Sequence, residues 1–172
     1  MKTIAIFGYG SICDISTLRT NDRITRPIKK TTKLAILYGY KLCLNKKSSK
    51  NNIAYANIIQ TGNDSDCVYG IIVYLTKDEI KRLDFREGHP THYIRSKISV
   101  YSGTTKIQVQ TYISTPEHTS DCDLKISKAY CGYLCKGLLF MKSLNKTNKQ
   151  LDDYCILKEK YYLEAKVDFS EQ

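Results

Sequence analysis

Near the N-terminus the chain reads Lys2-Thr3-Ile4-Ala5-Ile6-Phe7-Gly8-Tyr9-Gly10-Ser11, a short apolar strand that runs straight into a glycine-rich turn. Gly8-Tyr9-Gly10 imitates the start of the dinucleotide-binding pattern G-x-G-x-x-G, but Cys13 stands at the third glycine. No acidic residue ends a clear second strand about 20 residues further on, and the next segments read as strands without crossover helices. A doubly wound parallel sheet is therefore disfavoured. The same turn suits a second use. A strand ending in Gly-Tyr-Gly-Ser turns sharply and aims successive backbone N–H groups at one spot, where they bind a carboxylate or a developing oxyanion. From these residues alone a plain tight turn fits equally well.

Outward from this stretch the strands accumulate. Residues 16–28 are polar and poorly patterned, a loop with one helical turn at most. Residues 31–44 read as one long strand and 45–52 as a Lys/Ser/Asn loop. Two further strands, 53–60 and 67–75, flank Gly62-Asn63-Asp64, and the second is apolar enough to be central. Thr76-Lys77-Asp78-Glu79 is a capping box, so a helix begins there, and Ile80 and Leu83 follow at helical spacing. It stops near Glu87-Gly88, and Pro90 prevents its return. Residues 93–101 and 106–114 alternate around Gly103 like a hairpin. Beyond Pro116 the spacing predicts a helix over 123–144, capped by Ser120 or Asp121. It predicts a second over 147–166, with Leu151, Tyr154, Leu157 or Lys158, and Tyr161 along one face. The whole is an α+β pattern with a mostly strand core and no linker, one domain over 1–172.

The chain has 172 residues, 42% of them hydrophobic, long enough to bury a core and too apolar for global disorder. No run approaches a membrane span, and the first apolar run is too short for a signal peptide. The formal net charge is +10, and residues 23–63 hold nine Lys or Arg and no acid. Such a stretch suits a phosphate backbone. Its interleaving, as in Lys33-Leu34-Ala35-Ile36-Leu37, instead describes a folded strand with a solvated face. Nucleic acid is therefore a minor expectation. Seven cysteines, an odd number with no C-x-x-C pair, point to free thiols in a reducing setting, which places the protein in the cytoplasm. His89 and His92 flank Pro90-Thr91 without the further ligands a metal needs.

Leu83-Asp84-Phe85-Arg86-Glu87-Gly88 sets two acids three apart at a helix end. A helix C-terminus disfavours a carboxylate. That suits a side chain which has to accept a proton, if Glu87 projects into a cavity. Asp84 suits local hydrogen bonding. On spacing alone, a solvated surface acid is the better reading of Glu87.

The order of these features resembles the gamma-glutamylcyclotransferase superfamily, which includes the gamma-glutamylamine cyclotransferases and the AIG2-like proteins. The residues that carry the resemblance are Phe7-Gly8-Tyr9-Gly10-Ser11, Ala35-Ile36-Leu37-Tyr38-Gly39-Tyr40-Lys41-Leu42, Val68-Tyr69-Gly70-Ile71-Ile72-Val73-Tyr74-Leu75, Leu83-Asp84-Phe85-Arg86-Glu87-Gly88, Tyr93-Ile94-Arg95 and Val109-Gln110-Thr111-Tyr112. They cover roughly residues 3 to 140. The resemblance implies a compact mixed β-barrel with flanking helices. It implies a cofactor-free and metal-free reaction in which a small γ-glutamyl amide or peptide cyclises to 5-oxoproline and releases its amine. It assigns the catalytic glutamate to Glu87, the substrate loop to Tyr9, Gly10, Ser11 and Ile12, and two further binding tyrosines to Tyr93 and Tyr112. Ile12-Cys13 departs from the Leu or Asn usual after Tyr-Gly-Ser, and the last helix has no counterpart in the pattern. The competing expectation is a binding protein of the same fold that holds an anionic ligand, a nucleotide or a nucleic acid.

Overall fold

The computed structural model describes residues 2–22, 24–49 and 52–167. In chain order the elements are β1 (Thr3–Gly8), α1 (Ile15–Thr20), β2 (Lys33–Tyr38), β3 (Tyr40–Lys47), β4 (Ala54–Gln60), β5 (Cys67–Thr76), α2 (Lys77–Glu87), β6 (Tyr93–Ser102), β7 (Thr105–Ser114), β8 (Ile126–Ser127), α3 (Lys128–Leu144), α4 (Lys149–Ala165) and β9 (Lys166–Val167). A 3-10 turn, Ser11–Cys13, follows β1.

Five strands close into a barrel in the order β1-β5-β2-β6-β7. The contiguous pairs are antiparallel, and the seam between β1 and β7, where Ile6 faces Gln110, is parallel. β5 is the central strand its apolar run suggests: it pairs with β1 on one side and β2 on the other. Ile71, Ile72, Val73 and Leu75 of β5 and Ile6 and Phe7 of β1 are fully buried, so the core lies around this pair. The mixed barrel with flanking helices agrees with the expected α+β class.

Four local expectations need correction. Residues 31–44 are not one strand: the chain turns at Gly39, with β2 in the barrel and β3 pairing with β4 in a separate two-stranded sheet. Both halves are apolar enough that periodicity alone does not reveal the break. β3 runs on to Lys47, through the stretch expected as loop. α3 begins at Lys128 with Ser127 as its cap, not at 123. The Asp123 carboxylate is taken by the Leu44 amide at 2.9 Å and the Tyr161 hydroxyl at 2.6 Å, which holds that segment extended. α4 starts on an Asn148 cap and buries Leu151, Cys155 and Tyr162, while Leu157 is exposed.

The basic stretch does not form one free surface. Arg26 pairs with Glu79 at 2.8 Å, Lys41 with Asp66 at 3.6 Å, and Lys46 is buried. Arg23 and Lys50 lie outside the described residues. All seven cysteines are free thiols. No helix among the described residues is long and apolar enough to cross a membrane.

Candidate active site

α2 begins on the capping box read from the sequence: the Thr76 hydroxyl accepts from the Glu79 amide, and the Glu79 carboxylate accepts from the Thr76 amide at 2.7 Å. Arg26 fixes the same Glu79 carboxylate. Eleven residues later the helix ends on Gly88, whose φ of 65° is the left-handed conformation that favours glycine. A β-carbon there would also press on the His92 ring at 2.6 Å. The two ends of α2 thus fix where Glu87, its last residue, stands.

Glu87 lines two contiguous cavities. The inner one, about 30 Å³, is bounded by Tyr9, Gly10, Ser11, Ile12, Glu87, Tyr93 and Tyr112, together with Phe7, Ala56 and Tyr130. The outer one, about 500 Å³, shares Ser11, Glu87, Tyr93 and Tyr130 with it and opens past Lys46, Tyr55 and His92. The seven residues singled out in the sequence therefore surround one small space. They come from four places: the loop after β1, the end of α2, the start of β6 and the end of β7. α3 closes the site from behind. Its Gly137 lies against the 3-10 turn so closely that a β-carbon would stand 2.7 Å from that of Cys13.

The tyrosine hydroxyls are mostly committed. Tyr9 donates to the Tyr112 carbonyl at 2.5 Å and Tyr93 to the Ala56 carbonyl at 2.7 Å, while Tyr130 accepts from the Ala56 amide at 2.9 Å. Burial raises the pKa of all three, and the nearby Glu87 charge raises each further, so they remain protonated donors. Tyr112 donates to Asp84 at 2.7 Å, and Arg95 stands 3.2 Å from the same carboxylate oxygen. Asp84 is thus held away from the cavity and anchors Tyr112.

Arg86 sits between two carboxylates, 2.9 Å from Asp22 and 3.1 Å from Glu87. Asp22 is fully buried. Burial pushes its pKa up to about 6, against the pull of Arg86 and with the push of Glu87. Arg86 therefore stabilises negative charge on both acids while leaving one face of Glu87 toward the cavity.

Lys46, Tyr55, Arg86, His92, Tyr130 and Asp22 complete the surroundings; the sequence pattern offers Arg86 and His92 without a role in this site and does not single out the other four. Lys46 reads as one cation in a solvated loop. A bulge brings it inside: Cys43 pairs with Asn57 but Lys46 with Tyr55, so β3 spends one extra residue there. Tyr130 follows the Ser127 cap by three residues. That cap is the one signal that sets its register, and Asp123 masks it.

A carboxylate and buried phenols around a small inner space, joined to a wider cavity that an ammonium borders, make a pocket able to hold a small polar molecule on a mixed β-barrel. The chain belongs to the gamma-glutamyl cyclotransferase, AIG2-like family, whose family model matches residues 6–132. Solved structures share the fold. A gamma-glutamyl cyclotransferase superposes with a TM-score of 0.64 at 18% identity, covering 91% of this chain and 99% of that one. A yeast gamma-glutamyl cyclotransferase specific to glutathione gives 0.65 at 12% identity, covering 99% and 100%. A human protein gives 0.62 at 19% identity, covering 91% and 99%. No curated protein sequence matches the chain.

Proposed function

We propose that the protein is a γ-glutamyl cyclotransferase that converts a γ-glutamyl amide to 5-oxoproline and a free amine, with Glu87 as general base and then general acid. The observation that carries this reading is the placement of Glu87 across a space of about 30 Å³ from the Tyr9–Ile12 loop, beside a wider cavity of about 500 Å³. The small space takes one oxygen-bearing end of the γ-glutamyl group, and the wide one takes the remainder of the substrate with the amine it carries.

In this mechanism Glu87 takes a proton from the substrate α-ammonium. The freed amine attacks its own γ-carbonyl carbon. The new C–N bond closes the five-membered ring, and the C–N bond to the leaving amine breaks. Glu87 returns the proton to that amine as it departs, and the ring nitrogen, which still carries one proton too many for the lactam, gives it up so that the amine leaves as its ammonium. Amides of the loop hold the α-carboxylate or polarise the γ-carbonyl. Tyr9, Tyr93 and Tyr112 line the inner space. The nucleophile belongs to the substrate, so proximity supplies much of the rate and neither metal nor cofactor is called upon.

The competing reading, a binding protein for an anionic ligand, gives Glu87 no task, since a carboxylate facing the cavity repels such a ligand. The test is a panel of γ-glutamyl amides and peptides incubated with the protein and assayed for 5-oxoproline. Release from at least one supports the reading; no release from any contradicts it.

A further inference from the structure

Lys46 is an unusual residue to find in this cavity. Its residue surface is 5% exposed. The ammonium stands over two aromatic rings, 5.3 Å from the centre of Tyr55 and 5.4 Å from that of Tyr93. Among the described residues no carboxylate lies within ion-pair distance of it. Burial lowers its proton affinity, and the field of Glu87 partly restores it. The strand bulge that turns Lys46 inward, opposite Tyr55, is the same feature that hides it from sequence pattern. A buried cation is expensive to keep without a counter-charge.

Its position is informative. Lys46 borders the outer cavity, with His92, Tyr55 and Tyr133, and does not border the inner one where the loop Tyr9–Ile12 lies. Glu87 stands between the two spaces. In the proposed cycle Glu87 becomes neutral when it takes the substrate proton. At that moment the outer cavity holds a cation with no anion near it. An anionic group on the leaving amine, at that end of the substrate, supplies the missing charge. A cationic amine there meets like charge.

We infer that Lys46 is a specificity-determining residue, which selects γ-glutamyl amides whose leaving amine carries a carboxylate, that is, γ-glutamyl amino acids and peptides, over amides of cationic amines. The inference rests on the cyclotransferase reading above. It assigns Lys46 to the leaving amine and not to the γ-glutamyl group that all substrates share.

The experiment compares three substrates of nearly equal shape: γ-glutamyl-glycine, γ-glutamyl-glycinamide and γ-glutamyl-1,2-diaminoethane, whose leaving amines are anionic, neutral and cationic. The wild-type protein should favour the first over the second by about 10–100-fold in kcat/KM, the usual worth of a charge-assisted hydrogen bond, and mainly through KM. The third should be poorest. Lys46→Met, which keeps the buried stem, should bring the ratio of the first two close to one, and Lys46→Glu should move the preference toward the cationic amide. Equal kcat/KM of wild type on the first two substrates overturns the inference and leaves the cyclotransferase reading standing. So does a Lys46→Met protein that lowers all three by the same factor, because Lys46 would then serve the shared γ-glutamyl group. The wild-type ratio decides the matter even if neither variant folds. No 5-oxoproline from any of the three overturns the cyclotransferase reading, and the inference with it.

Discussion

Arg86 holds two acids that differ sharply in surroundings. Glu87 faces the cavity, whereas Asp22 is fully buried and has its pKa pushed from 3.8 to about 6, by burial first, with Arg86 opposing. Between these two values the folded protein keeps a proton that the unfolded chain has already released, so this group lowers stability as pH rises through the window. Asp22→Asn should remove that slope. Urea midpoints of wild type and variant, measured at about pH 4 and about pH 6.5, should converge at the lower value and separate at the higher one, offset by the lost Arg86 partner. A difference between the two proteins that is the same at both pH values would contradict the assignment of the charge to Asp22.

At the scale of elements, α2 delivers Glu87 by being fixed at both ends. Thr76→Ala removes the side-chain half of the capping box and should cost about 1 kcal/mol, seen as a lower thermal midpoint. KM and turnover should change little, because the far end of the helix is set separately by Gly88. A large loss of turnover at unchanged stability would show that the cap acts on the site itself. The capping box and the glycine stop were legible in the sequence because both are local: each is a matter of residues within four positions. The break at Gly39, the bulge before Lys46 and the Ser127 cap were not. The first is silent because both flanking strands are apolar. The second depends on pairing with β4, and the third on Asp123 being drawn away by the Leu44 amide and Tyr161. Local chemistry writes element ends into the sequence; long-range partners move them. The residues Tyr9–Ile12, Glu87, Tyr93 and Tyr112 were found through the order of motifs, whereas Lys46 and Tyr130 enter the cavity only through tertiary pairing.

At the scale of the whole molecule, the site is the seam of the barrel. Closure joins β1 to β7, where the Thr111 hydroxyl donates to the Phe7 carbonyl at 2.8 Å and Tyr9 reaches the Tyr112 carbonyl. The helices hold this seam from outside, and α4 locks α3 through Tyr162, 2% exposed, whose carbonyl accepts from the Cys131 thiol. Tyr162→Ala keeps that carbonyl but empties the buried space the ring fills, and should cost about 3–5 kcal/mol, measured by chemical denaturation, although the residue lines neither cavity. A loss below about 1 kcal/mol would mean that α4 is not part of the cooperative fold. Because loop and helix end meet only in the closed barrel, turnover depends on what Glu87 does once it is there. Glu87→Gln keeps the shape and hydrogen-bonding reach of the side chain but cannot accept a proton. The most direct measurement is the rate of 5-oxoproline release from a γ-glutamyl amide by wild type and Glu87→Gln side by side, with both shown to be folded. Wild type should release 5-oxoproline, and the variant should lose about 10²–10⁴ in turnover. A Gln variant that cyclises the substrate at the wild-type rate would contradict the proton-transfer role of Glu87.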